Sequence, residues 1–358
     1  MKKTLLALAV PALLMAGSAS AATVYTAEDG STIDVYSRLG FNITDRAGMG
    51  EDGDAVGNFD ARIGLGGSQV VNDKVSVIGW AEYSVGAAEQ RGTDNSFTPR
   101  YVWAGIDASE AGKVTFGRVA SGIIMLSDVG DVFAASDVIL GRQLELVDNS
   151  AAQTFRQDGT IQYQNSFGAF DMSVAYILGN SESNQDGSYN AVGRYTFDLG
   201  NAGTLAPVVA YQANSTGDAT GPDNAATANR DYTFWGAGLQ YKLNALTLGA
   251  MYNQDEIEGQ GISGTSKDKS YELTAVYNIN DDWTARAGYR ALENTGGDET
   301  EYKDTTLEVQ YHLTARSSIY TSYVMRNGEN GTGLGAPAVM TWNNAEEDYY
   351  HLGLRYEF

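Results

Sequence analysis

The 358-residue chain has no cysteine, two histidines (His312 and His351), and 23 Lys and Arg against 45 Asp and Glu, for a formal net charge of −22. Without cysteine there is neither thiol catalysis nor a Cys-ligated zinc site, and two histidines exclude a His-rich metal centre. So acidic a chain lacks the basic footprint that nucleic acid requires, whereas a metal cation or cationic solute suits it.

The first stretch, MKKTLLALAVPALLMAGSASA, places Lys2 and Lys3 before an apolar run from Leu5 to Met15 and ends in the small-x-small triplet Ala19-Ser20-Ala21. Residues 1–21 read as a secretory signal peptide, with the mature chain starting near Ala22. No later window of eighteen apolar residues follows, which excludes a helical membrane protein.

From there the chain alternates with period two. STIDVYSRLGF puts Ile33, Val35, Leu39 and Phe41 on one face and Asp34, Arg38 and Asn42 on the other. In the next segment Arg62 opposes Phe59, Ala61, Ile63 and Leu65. The glycines of GLGG, Gly64 to Gly67, precede another strand rather than a helix, so they relieve crowding at a bend instead of cradling a phosphate. Arg100 opposes Tyr101 and Trp103, and Arg156 shares parity with Gln162 and Gln164, away from Ile161 and Tyr163. Tyr271, Leu273, Ala275, Tyr277 and Ile279 face away from Glu272, Thr274 and Asn278, and Leu307, Val309, Tyr311 and Leu313 oppose Glu308, Gln310 and His312. These are half-buried strands, not helices.

Short connectors alternate with eight long polar ones, at about 44–53, 88–97, 120–156, 180–187, 214–229, 256–267, 294–301 and 327–346. Eight long-loop hairpins make sixteen antiparallel strands, from 31–43 to 347–358, in one domain spanning 22–358. Strand interiors carry Asp, Glu, Arg, Gln and Asn on one side, while the apolar side is rich in Tyr and Trp. That distribution favours a closed barrel with a wet lumen over a soluble sandwich with two dry inner faces. In lipid every backbone group must pair, so the sheet has to close. The terminus YHLGLRYEF, ending on Phe358, then has a partner: its apolar face meets hydrocarbon and its backbone pairs with the first strand.

Four stretches carry a resemblance: ATVYTAEDGSTIDVYSRLGF, FDARIGLGGSQVVNDKVSVIGWAEYSV, TPRYVWAGIDASEAGKVTFGRVASG and the strand ending in Phe358. Over essentially the whole mature chain the sequence resembles the general, non-specific porins of Gram-negative outer membranes, and is most similar to those of marine gamma-proteobacteria. The resemblance implies an all-β, 16-stranded transmembrane barrel in the outer membrane, assembled as a homotrimer, whose third long loop (about 120–156) folds into the bore.

Alternation alone turns Arg38, Arg62, Arg100 and Arg156 inward; the resemblance makes them the basic wall of a constriction. An arginine paired with a carboxylate for structure alone is the alternative. The resemblance also matches Asp131 to an acidic position of the inward loop, with Asp128 and Asp137 close by and Glu145 and Asp148 later. The Pro-Glu-Phe-type tip of some members is replaced by DVFAASD, so the bore diameter and the acidic partner stay open.

No nucleophile–base motif accompanies the two histidines, and no enzyme is expected. The expected function is passive diffusion of ions and small hydrophilic solutes with a weak cation preference. A substrate-selective channel, for instance for oligosaccharides, and a surface adhesin are the alternatives. No cofactor is expected, although the acidic outer loops DEIEGQG, ENTGGDETEYKD and NNAEED offer places for divalent cations bridging to lipopolysaccharide.

Overall fold

The computed structural model describes residues 21–46, 54–86, 97–135, 138–151, 154–179, 184–219, 221–329 and 346–358. The signal-peptide assignment falls, Ala21 apart, outside the described residues, as does Asp137.

Sixteen strands follow in chain order. The first eight are β1 Thr32–Thr44, β2 Val56–Asn72, β3 Val75–Val85, β4 Phe97–Asp107, β5 Lys113–Arg118, β6 Thr160–Phe167, β7 Phe170–Ile177 and β8 Gln185–Tyr195, which Phe197–Asp198 prolongs. The others are β9 Thr204–Thr216, β10 Arg230–Leu243, β11 Leu246–Gly259, β12 Thr265–Asn278, β13 Trp283–Thr295, β14 Glu301–Thr314, β15 Ser317–Glu329 and β16 Tyr349–Glu357. Each pairs antiparallel with the next, and β16 pairs with β1 from His351↔Thr44 to Glu357↔Arg38, which closes the barrel.

One pairing was not read from the sequence. Residues Ala22–Thr26 form a short strand against Thr32 to Val35 of β1. Phe358 exchanges backbone bonds of 2.9 and 3.0 Å with Ser37. The two chain ends therefore share one edge of β1: β16 covers its far half and the N-terminal segment covers the rest.

Alternation sorts the side chains as expected. Along β12, Tyr271 and Leu273 are exposed while Ser270, Glu272 and Thr274 are buried; along β14, Leu307 and Val309 are exposed while Thr306, Glu308 and Gln310 are buried. In water each such exposed aliphatic would forgo about 1.5–3 kcal/mol of burial, so this arrangement suits only lipid. Two aromatic rows bound the belt. Trp235, Tyr252 and Tyr271 pack as tilted rings, with centres 5.0 and 4.9 Å apart, toward the long-loop end. Trp283 meets Tyr311 at 4.7 Å and Tyr356 meets Phe358 at 5.8 Å toward the short-turn end. Such girdles mark the two interfaces of a membrane barrel.

Two expected long loops are short turns instead. Strand pairing continues to Gly259 and resumes at Thr265, and again to Thr295 and from Glu301. The polar residues there are strand residues whose outward charges stand beyond the apolar belt; Glu256 and Lys267, register partners, form an ion pair of 2.7 Å. A polar composition was mistaken for an irregular backbone.

The third loop, between β5 and β6, holds the helix α1 (Ile124–Gly130) and a 3-10 turn (Arg142–Leu146). The seven-residue helix has no side-chain cap, so packing rather than propensity holds it. Ile123, Met125, Leu126, Val129, Leu144, Val147 and Phe155 pack on the inward Val192, Val208, Ala210, Tyr232, Phe234, Met251 and Ile257. The apolar core of the molecule thus lies inside the barrel, between this loop and β8–β11. Inward glycines make the seat: a Cβ on Gly238 would stand 3.0 Å from Leu126 and Val208 and 3.1 Å from Val129.

Candidate functional site: the narrowed lumen

The four sequence-predicted arginines come together on one wall. Arg38 of β1 and Arg62 of β2 are direct register partners. Like charges opposite one another repel, and here carboxylates from the same wall neutralise them. Arg38 Nε donates to Glu357 at 2.6 Å and its Nη1 to Asp60 at 3.5 Å; Arg62 Nε donates to the other Asp60 oxygen at 2.9 Å. Arg100 Nε donates to the buried Glu82 at 2.8 Å. Arg156, just before β6, lies 5.7 Å from the Tyr101 ring and 5.6 Å from Phe155. Burial, reinforced by Arg100, Arg118 and Arg62, pulls its guanidinium down to about 10, still charged at neutral pH.

Sequence reasoning missed the fifth arginine of this wall. Arg118 donates to Ser150 O at 2.6 Å, Asp158 at 2.9 Å and Arg100 O at 3.2 Å. Alternation places it outward with Phe116; Gly117, at φ +123°, breaks the pleat and redirects it. Alternation also points Tyr101 and Trp103 the wrong way. The register slips between Glu82↔Tyr101 and Tyr83↔Pro99, which leaves Arg100 as an extra bulged residue. Arg100, Tyr101 and Trp103 consequently face the lumen together. Tyr36, Trp80 and Tyr101 form a buried cluster there, with Trp103 packed against it. GLGG serves this cluster rather than a bend: a Cβ on Gly64 would stand 2.6 Å from the Trp80 ring.

The acidic side is less compact than expected. Asp128, on α1, and Asp131, just after it, are both exposed in the bore. Asp128 interacts with Arg194 and Lys242 rather than with the arginine wall, so it sits toward the short-turn end. The surrounding barrel pushes its carboxyl up to about 6, with Arg194 and Lys242 pulling the other way. Asp131 lies within electrostatic range of Glu272. Burial raises the Glu145 carboxyl. Asp148 is a buried structural acceptor, bonded to Ser150 N at 2.9 Å and Gln157 Nε2 at 2.8 Å.

Opposite the arginine wall, inward acids of β11–β14 bind the loop itself. Glu308 accepts Ala134 N–H at 3.0 Å from both oxygens, and Glu272 accepts Ile139 N–H at 2.5 Å. Arg355 donates to Ala134 O at 2.5 Å, and Asp255 accepts Gln143 N–H at 2.9 Å. Alternation had marked Glu272 and Glu308 as inward but could not show that they bind backbone. Among the described residues no cluster of three or more His, Asp or Glu side chains is arranged to hold a metal ion.

A closed barrel, apolar outside and polar within, with a loop docked inside it and charges facing the remaining space, defines a membrane channel of the outer-membrane type. Comparison with known proteins agrees. Residues 5–332 match the family described as Gram-negative porin, and the chain belongs to that family. It is 27% identical over 384 residues to outer membrane porin C of Enterobacter cloacae, and 26% identical over 374 residues to outer membrane protein U of Vibrio parahaemolyticus, covering both chains fully in each case. Among solved structures it is similar in fold to OmpF of Salmonella typhi, with a TM-score of 0.71 at 15% identity over 94% of this chain and 100% of that one. An anion-selective porin from Comamonas acidovorans gives 0.68 at 16% identity, covering 92% and 100%. The protein is thus a multi-pass outer-membrane porin, a passive channel and not an enzyme.

Proposed function

We propose that this porin is a general diffusion channel for ions and small hydrophilic solutes with a weak cation preference. One observation carries the reading: four of the five arginines of the wall (Arg38, Arg62, Arg100 and Arg118) are ion-paired with four carboxylates (Asp60, Glu82, Glu357 and Asp158), while Asp128 and Asp131 are exposed in the bore. The wall is nearly neutral, so the loop acids tip the balance. Small polar solutes pass a narrow gap of oriented water, whereas apolar ones must displace it. The burial of Tyr36, Trp80 and Tyr101, each 5% exposed or less, favours this reading over an oligosaccharide channel, which needs open ring faces.

We further propose a homotrimer, since OmpT of Vibrio cholerae, similar in fold at a TM-score of 0.66 and 17% identity over 92% of this chain, is described in a trimer form. The apolar belt and aromatic girdles suit outer-membrane lipid, and the acidic outer turns suit divalent cations at lipopolysaccharide. The test is planar-bilayer current under a salt gradient. The wild type should give a small reversal potential of cation-selective sign, and Asp131→Asn should shrink it with no change in barrel stability. An unshifted potential would remove Asp131 from the selectivity of the channel.

A further inference from the structure

Arg142 lies on the return limb of the third loop, away from the arginine wall, and bonds two carboxylates at once. Its Nε and Nη2 donate to Asp268 at 2.6 and 2.9 Å, and its Nη1 and Nη2 to Asp298 at 2.7 and 2.9 Å. The Arg142 side chain is 2% exposed and both acids 0%. Four charge-assisted bonds in fork geometry make a strong and directional pairing.

The two partners come from different places. Asp268 stands near the long-loop end of β12. Asp298 belongs to the turn joining β13 and β14, at the end where outer-membrane barrels face the exterior. That turn is built to point Asp298 inward. Asn294 Oδ1 accepts the N–H groups of Gly297 and Glu299 at 3.1 and 2.9 Å, and Asp298 Oδ1 accepts Thr300 N–H at 3.2 Å. Asn294 Nδ2 also donates to Asp268 at 2.6 Å, tying both acids into one unit. On the loop side Gly141, at φ +57°, takes the left-handed turn that presents Arg142 to the wall.

We propose that Arg142 is the positioning residue of the constriction, a latch through which the external turn 296–300 holds the third loop in place. The proposal rests on the channel reading above and adds a coupling: whatever binds or displaces that turn from outside moves the loop in the bore. Two acids share one base, so loss of Arg142 leaves adjacent buried carboxylates that repel each other and release the limb.

Single-channel recording of the full-length protein tests this, with the heat-modified gel shift confirming a folded barrel. Arg142→Gln should raise open-channel noise several-fold and split the unitary conductance into more than one level. Asp298→Asn, which keeps the Asp268 half of the fork, should give the same change to a smaller degree, although it alters only the external turn. The double variant should be no noisier than Arg142→Gln alone, because one interaction is lost in both. Wild-type noise and conductance in Asp298→Asn, or effects that add in the double variant, overturn the latch; should Arg142→Gln fail to fold, Asp298→Asn decides alone. A wild type that carries no current would instead overturn the channel reading.

Discussion

At the scale of single residues, the lumen shows charges made harmless to one another and a few left to act. Asp60 bridges the register pair Arg38 and Arg62. Replacing it by Asn keeps the shape and removes one negative charge, so two guanidiniums face the bore with only Glu357 to offset them. Asp60→Asn should move the reversal potential toward anions, whereas neutralising a carboxylate that acts only in structure would leave it unchanged. Asp128 makes a second test. With its carboxyl pushed up to about 6, it is mostly ionised at pH 7 and mostly neutral at pH 5. The charged form exists above that value, so cation preference should fall as pH drops through 6. In Asp128→Asn that step should be absent; its persistence would assign the titration to another group.

At the scale of elements, β2 shows how far the sequence carries and where it stops. The sixteen strands were legible because alternation is local: a residue's face follows from its neighbours, and lipid outside with water inside keeps the pattern clean. Its failures sit where the pleat is interrupted. The bulge at Arg100 turned Tyr101 and Trp103 inward, Gly117 redirected Arg118, and polar outer strand ends passed for loops. The basic wall was legible as four inward arginines; their pairing with Asp60, Glu82 and Glu357 was not, because partners on neighbouring strands depend on register. The glycine seats were invisible for the same reason. Gly66 of β2 faces Trp80 in register, and a Cβ there would collide with that ring and with Gly79 O. Gly66→Val should therefore destabilise the barrel by about 1–3 kcal/mol, read as a lower unfolding temperature in detergent. A neutral outcome would mean that the Trp80 cluster is loosely packed.

At the scale of the whole molecule, the net charge of −22 does not describe the bore. Inside, arginines and carboxylates nearly match; the excess acid lies at the ends, in residues such as Asp73, Glu110, Asp281 and Asp282 at the short turns and Asp231, Glu258, Glu293 and Glu329 at the outer rim, all exposed. Rim charges act on ions only through open water, over a Debye length of about 10 Å at 0.1 M salt and about 3 Å at 1 M. In the proposed reading Asp128 and Asp131 act from inside the bore, where rim screening does not reach them. The two sources of cation preference should therefore separate with ionic strength. Between gradients centred near 0.1 M and near 1 M, the wild-type preference should shrink as the rims are screened but keep its sign. In Asp131→Asn it should fall at the higher salt to the remainder that Asp128 supplies, while most of it survives at the lower. A preference that ignores ionic strength would place all of the selecting charge inside the bore; one that disappears completely in wild-type protein at 1 M would place it all at the rims, and the docked loop would then narrow the channel without choosing what passes.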